Sequence, residues 1–255
     1  MITVADAEQR IGKAVARLSW IDVCLLSFSG GVLSTLAGAA VFKRYVKRIP
    51  NSEWITPVDL QKRRFIRGVV TSVGDGDNFR LFHTPGLGWN WPLKVRRIPK
   101  ITERDTELKD QTIHIRLAGV DAPEAAHFGR EAQPYSEEAL QWLKTRIEGR
   151  TVWCQLLRRD QYGRVAFPFV TPLRLPAFRF LSTRCVSLEM LKVGWAVVYD
   201  QTGAEYGKWG QTTFLKLEDE ARYGLVYLQT ARRGMWKSLQ KLETPKEYKN
   251  RHAVP

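Results

Sequence analysis

Side chains that bind transition metals or staple secreted folds are scarce in this sequence: among 255 residues, three are cysteine and four histidine. Cys24, Cys154 and Cys185 lie far apart, no pair has zinc-type spacing, and an odd count argues against a disulfide framework. A reducing compartment, or one indifferent to thiols, follows. The histidines show no ligand spacing, and His83, His114 and His127 read as surface or insertion residues. An EF-hand is excluded as well, because Gly86 stands where the loop opening at Asp75 would need its twelfth-position glutamate. No internal repeat is visible. Acidic groups are outnumbered, 26 against 40 basic ones, for a net charge of +14.

That excess is not spread evenly. The first 42 residues balance three basic groups with three acidic ones, so the remainder carries 37 basic against 23 acidic. So basic a globular part suits nucleic acid or an anionic lipid surface, although charge alone leaves a generally basic protein possible. Apolar content of 44%, 11% aromatics and nine tryptophans suffice for a packed core.

Val23 to Phe42 is a run of twenty residues without a charge, enough helix to cross a bilayer core of about 30 Å. Trp20 precedes it, and Tyr45 follows among Lys43, Arg44, Lys47 and Arg48, as a membrane boundary would have it. The denser basic flank favours leaving the large domain on the positive, inside face. The run is long for a signal peptide and uniformly apolar for a buried helix. Domain boundaries follow: an N-terminal segment over 1–22, a transmembrane helix over 23–42, a basic linker over 43–64, a globular domain over 65–237 with insertions near 84–111 and 171–185, and a C-terminal tail over 238–255.

Within the domain, "IRGVVTSV", a "GDGDN" turn and "FRLFH" read as a hairpin. "TIHIRLAGV" alternates as a strand, and residues 134–147 carry a helical period ending before Gly149. "TVWCQLL" and "VAFPFV" read as strands around "RRDQYGR", "LEMLKVG" as a short helix, and residues 214–229 as a last one. Short strands with helices between and after them indicate an α+β domain built on a small barrel.

Three loops of that barrel carry a complementary set of groups. "GDGDN" brings Asp75 and Asp77, "IRLAGVDAPE" brings Arg116, Asp121 and Glu124, and "DQYGR" brings Arg164. Aspartate is a hard oxygen ligand for calcium or magnesium, arginine matches two phosphate oxygens, and a glutamate beside both can orient or deprotonate water. Together they suit phosphodiester hydrolysis. Taken singly, Asp75 and Asp77 are also ordinary turn formers, and Arg116 with Glu124 could make a structural ion pair.

"GDGDNFRL", "IRLAGVDAPE" and "DQYGRV", in this order, resemble the staphylococcal-nuclease-like (thermonuclease) family, and "VSLEMLKVGWAVVY" with "GMW" resembles its C-terminal part. The apolar run ahead of the domain resembles the fungal mitochondrial, single-pass endonuclease members. The resemblance implies an OB-type five-stranded β-barrel with packed helices, calcium as cofactor, and DNA or RNA cut to leave a 3′-phosphate. It also implies roles. Asp77, Asp121 and the Ala122 carbonyl correspond to metal ligands, Glu124 to the residue that activates water, and Arg116 and Arg164 to the phosphate clamp. Tyr162 corresponds to a nucleotide-pocket residue, with Tyr199 and Tyr206 as candidates for the family's late tyrosines. Ala122 departs from the founding member's threonine, Asn78 from a threonine and Gln161 from a lysine. The implied partners are nucleic acid and a lipid bilayer, crossed once. The rival readings are a non-catalytic nucleic-acid-binding module and a membrane-tethered scaffold on the same barrel.

Overall fold

The computed structural model describes residues 19–89, 94–99, 108–126, 129–159, 165–170, 184–224, 232–237 and 243–252. It divides into two units, residues 1–47 and residues 48–255.

The first unit is a helix, α1 (Trp20–Val41), continued by one wider turn over Phe42–Val46. Ser19 caps it through a reciprocal pair: its hydroxyl accepts from the Asp22 N–H and the Asp22 carboxylate accepts from its own N–H. None of its residues is buried, and Leu25, Phe28, Leu33 and Leu36 are all more than half exposed. This helix, apolar on every face, is long and apolar enough to cross a membrane, a test that a span and a signal sequence both pass.

The second unit holds the sheet. Its strands are β1 (Phe65–Asp75), β2 (Asn78–His83), β3 (Ile113–Arg116), β4 (Val120–Asp121), β5 (Thr151–Arg159), β6 (Val165–Val170), β7 (Arg184–Cys185) and β8 (Val197–Val198). The helices are α2 (Pro57–Gln61), α3 (Ser136–Ile147), α4 (Val186–Val193), α5 (Gly210–Tyr223) and α6 (Pro245–Arg251). An antiparallel sheet runs in the order β3-β2-β1-β5-β6-β7, and β4 pairs separately with β8. Five of the sheet's strands make the expected barrel wall, and the two-residue β7 extends its edge. The sheet curls, because β3 at one edge also lies against β6. Two register shifts in β1, between Val70 and Ser72 and between Val73 and Asp75, supply the bend. Burial in β1 changes phase at the first of them, where Val70 and Thr71 are both buried.

Inside the curl lie Ile66, Val70, Phe79, Leu81, Ile113 and Ile115, each at most 1% exposed. Burying side chains of this size contributes roughly 2 kcal/mol apiece. α3 closes one end: Ala139, Leu143 and Ile147 recur at helical spacing and are fully buried in the same cluster. Two members of that cluster, Ile49 and Ile55, come from the segment read as a linker. The excursion after β2 is pinned by Trp89, which is buried edge-on against Phe82, while Trp91 lies outside the described residues. His83 needs correction. It is 2% exposed at the end of β2, and its Nδ1 accepts the Ile49 N–H at 2.9 Å. Burial, then Arg64, Arg48 and Arg67 nearby, push it down to about 3, so it stays neutral.

Candidate active site

The site grows from the turn between β1 and β2. The Gly76 N–H donates to the Asp75 carboxylate at 2.8 Å, and the Asp77 carbonyl accepts the Leu117 N–H at 2.8 Å. Asn78 stands opposite Arg116 in the β2–β3 register, so the turn and the end of β3 are held side by side. Glycine is required at 76, since a Cβ there would lie 2.7 Å from the Ala122 side chain. That close approach brings the turn against the segment following β4.

Asp121, the last residue of β4, pairs with Val197 of β8 and keeps 3% of its side chain exposed. Arg116 bridges the two aspartates: one guanidinium nitrogen reaches Asp121 at 2.7 Å and Asp77 at 3.1 Å. Although burial disfavours its charge, Asp77 and Asp121 hold the guanidinium above its ordinary pKa. The Tyr199 ring lies 5.2 Å from the guanidinium carbon, and the Tyr199 N–H donates to the Gly119 carbonyl at 3.0 Å. Tyr206 supports Tyr199 by donating its hydroxyl to the Tyr199 carbonyl at 2.7 Å.

Glu124 is fixed through its backbone. Buried Gln133 accepts the Glu124 N–H on its side-chain oxygen at 2.9 Å and gives its own N–H to the Glu124 carbonyl at 2.9 Å. The Glu124 carboxylate is thus left to point at charge, and it meets Lys249 at 2.8 Å. Lys249 also reaches both oxygens of Asp121, at 2.7 and 2.8 Å.

Four carboxylates therefore crowd two cations, and burial tells on them. Burial, followed by the charge of Asp77, pushes the Asp75 carboxyl up to about 6. The same two causes raise Asp121 to about 6 against the pull of Lys249 and Arg116. As donors for a metal these groups are all hard oxygens, which suits calcium or magnesium. The ammonium of Lys249 is seated between Asp121 and Glu124. Among the described residues no three side chains of histidine, cysteine, aspartate or glutamate are placed to hold an ion as they stand.

Asp77, Asp121, Ala122, Glu124, Arg116 and Tyr199 are thus gathered at one place, while Arg164 and Tyr162 lie outside the described residues. Two participants escaped sequence reasoning, Gln133 and Lys249. The stretch from Thr244 to Glu247 carries a capping box with proline at the first helical position, which would have announced a helix in the tail. Nothing local would have told where that helix docks.

A model of the staphylococcal nuclease homologue family matches residues 114–238. Among curated relatives, "Probable endonuclease LCL3" of Schizophyllum commune is 54% identical over 228 residues, covering 89% of this chain and 74% of the relative. The protein of the same name from Pyricularia oryzae is 48% identical over 223 residues, covering 86% and 79%. That from Candida albicans is 42% identical over 233 residues, covering 89% and 91%. Asp75, Asp77 and Lys249 fall outside the stretch matched by the family model, yet the geometry joins them to it.

Proposed function

Because the chain belongs to the staphylococcal nuclease homologue family and is a nuclease by kinship with these relatives, we propose that it is a membrane-anchored, calcium-dependent endonuclease cutting DNA, RNA or both. One observation carries the reading. Arg116 ties the hairpin-turn aspartate Asp77 to the strand-end aspartate Asp121, with Glu124 held beside them by Gln133. An idle cluster of this kind would be costly, since buried charges destabilise unless they are paired or put to use.

Asp77, Asp121 and the Ala122 carbonyl would hold the calcium, which when bound supplies Lewis-acid polarisation of the scissile phosphate. Glu124 orients the attacking water and accepts its proton, a task for which Gln133 locks its backbone. Arg116 neutralises charge as it develops on the phosphoryl oxygens, and Arg164, which the family resemblance pairs with it, would be the second half of a clamp. Tyr199, beside Arg116, and Tyr162 line the nucleotide pocket. A guanidinium ordered by two carboxylates is already held at the site before a phosphate arrives, and such preorganisation favours the transition state.

The apolar helix α1 supports a single membrane span, and a mitochondrial membrane follows only from the family resemblance of the sequence. We place the anchor over 23–42 and the nuclease motifs over 65–237, with Ile49 and Ile55 ahead of them adding to the core and α6 behind them adding to the site. The full chain in detergent, given single-stranded DNA and RNA with calcium or with chelator, tests the proposal beside Glu124→Gln. Calcium-dependent cutting should fall by roughly 10²–10⁴-fold in the variant. Equal binding without cutting by both proteins would instead leave a tethered nucleic-acid reader.

A further inference from the structure

We propose that the C-terminal helix α6 gates cation loading, Lys249 occupying the ligand oxygens until a divalent cation displaces it. The inference rests on the reading of this site as a metal-dependent nuclease centre. Its evidence is the placement of one ammonium. Lys249 takes both oxygens of Asp121, at 2.7 and 2.8 Å, and one of Glu124 at 2.8 Å. Asp121 is one of the two carboxylates assigned to the calcium, and Glu124 is the one assigned to the water beside it. An ammonium and a dication cannot share them, since like charges at contact repel strongly in a partly buried site.

The helix is built to deliver this group and also to let it go. Thr244 caps it through a reciprocal pair with Glu247, and Pro245 with Tyr248 are its buried residues. Its docking is otherwise polar. The Tyr248 hydroxyl donates to the Glu131 carbonyl at 2.6 Å, and Arg130 donates to the His252 carbonyl at 2.8 Å. Lys246 pairs with exposed Asp200 at 3.0 Å. Water can replace most of these contacts, so undocking exposes little apolar surface. Gln133 couples the helix to the catalytic side. Its side-chain oxygen fixes the Glu124 N–H, while its side-chain nitrogen donates to the Glu243 carbonyl just ahead of α6 at 3.2 Å. A movement of the helix is therefore felt at Glu124 through one side chain.

Calorimetric titration of the full chain in detergent with calcium chloride tests the gate, comparing the native sequence with Lys249→Gln and Lys246→Gln. Removing the competing ammonium should tighten calcium binding by roughly tenfold, an ordinary size for coupling between two sites. Lys246→Gln removes the same charge from the same helix but touches no site carboxylate, and should leave the affinity unchanged. Thermal unfolding supplies a second readout. Lys249→Gln should melt below the native chain in chelator and match or exceed it in saturating calcium, because bound cation replaces the lost ammonium. Lower melting in both conditions would make Lys249 a fixed structural cation and overturn the gate. Calcium binding by the native chain with no tightening in Lys249→Gln would also overturn it while sparing the nuclease reading. Failure of all three proteins to bind calcium would remove the metal reading together with the gate.

Discussion

The β3–β4 segment and the C-terminal helix both place charge in one cluster, but they are held there by different forces. In the first, Ile113, Ile115 and Leu117 are at most 2% exposed, and Arg116 and Asp121 ride on strands paired to β2 and β8. In the second, two buried residues and a few polar bonds carry a seven-residue helix. Apolar burial of the first kind is lost only when the domain unfolds. Polar docking of the second kind competes with water and ions at every moment. The difference teaches that one charge cluster can have a fixed half and a removable half.

Arg116→Lys should strike the fixed half hardest. A point charge cannot bridge two carboxylates and still present a planar fork to phosphate, so cleavage should fall by about 10²-fold or more. Turnover near that of the native chain would deny Arg116 its role. Gly119→Ala attacks the same half through the backbone. Gly119 sits at φ +72° in the β3–β4 turn, and a Cβ would lie 2.7 Å from the Phe214 ring and 2.9 Å from that of Tyr206. A loss of about 2 kcal/mol in urea unfolding is expected, with cleavage weakened because Tyr199 hangs on the Gly119 carbonyl.

A pH series sharpens the comparison further. Burial and Asp77 raise the folded Asp75 carboxyl to about 6 from its ordinary 3.8. The folded state then holds a proton that the unfolded chain has released, so this contribution to stability falls as pH rises through that window. In chelator, Asp75→Asn should therefore gain on the native chain by about 1–2 kcal/mol between pH ~4 and pH ~7. A constant or shrinking difference would show that Asp75 is not strained by its neighbours. Thr244→Ala should have the smallest effect. Loss of the capping pair weakens α6 by about 1 kcal/mol, read as faster hydrogen exchange in residues 245–251 with exchange in β3 unchanged. Equal acceleration in both places would erase the distinction between the halves.

Much of this was legible in order along the chain. Alternating strands, the "GDGDN" turn and the helical period of 134–147 are local signals, and the structure places elements at each, the helix opening at Ser136. Arg116, Asp121 and Glu124 were legible as a group because they are near in sequence, and Asp77 because a hairpin turn announces itself. His83 misled because a polar residue at a strand end reads as exposed, whereas a distant N–H, that of Ile49, accounts for its burial. Ile49 and Ile55 misled for the same reason: their burial depends on a barrel far along the chain. The β4–β8 ribbon was illegible in extent, since two residues per strand give no period to detect.

Residue order alone thus settled the charge-free run of 23–42, the strand and turn rhythm of the barrel, and the chemical types at its loops. These follow from side-chain periodicity and from short-range backbone preference, which need no partner. Folding in three dimensions settled which charges face one another. Arg116 bridges Asp77 and Asp121 because β2 and β3 are in register, and Gln133 locks Glu124 because α3 begins beside it. Lys249 reaches Asp121 across 128 positions of chain, a pairing set by long-range packing and by the pull of opposite charges in a half-buried place.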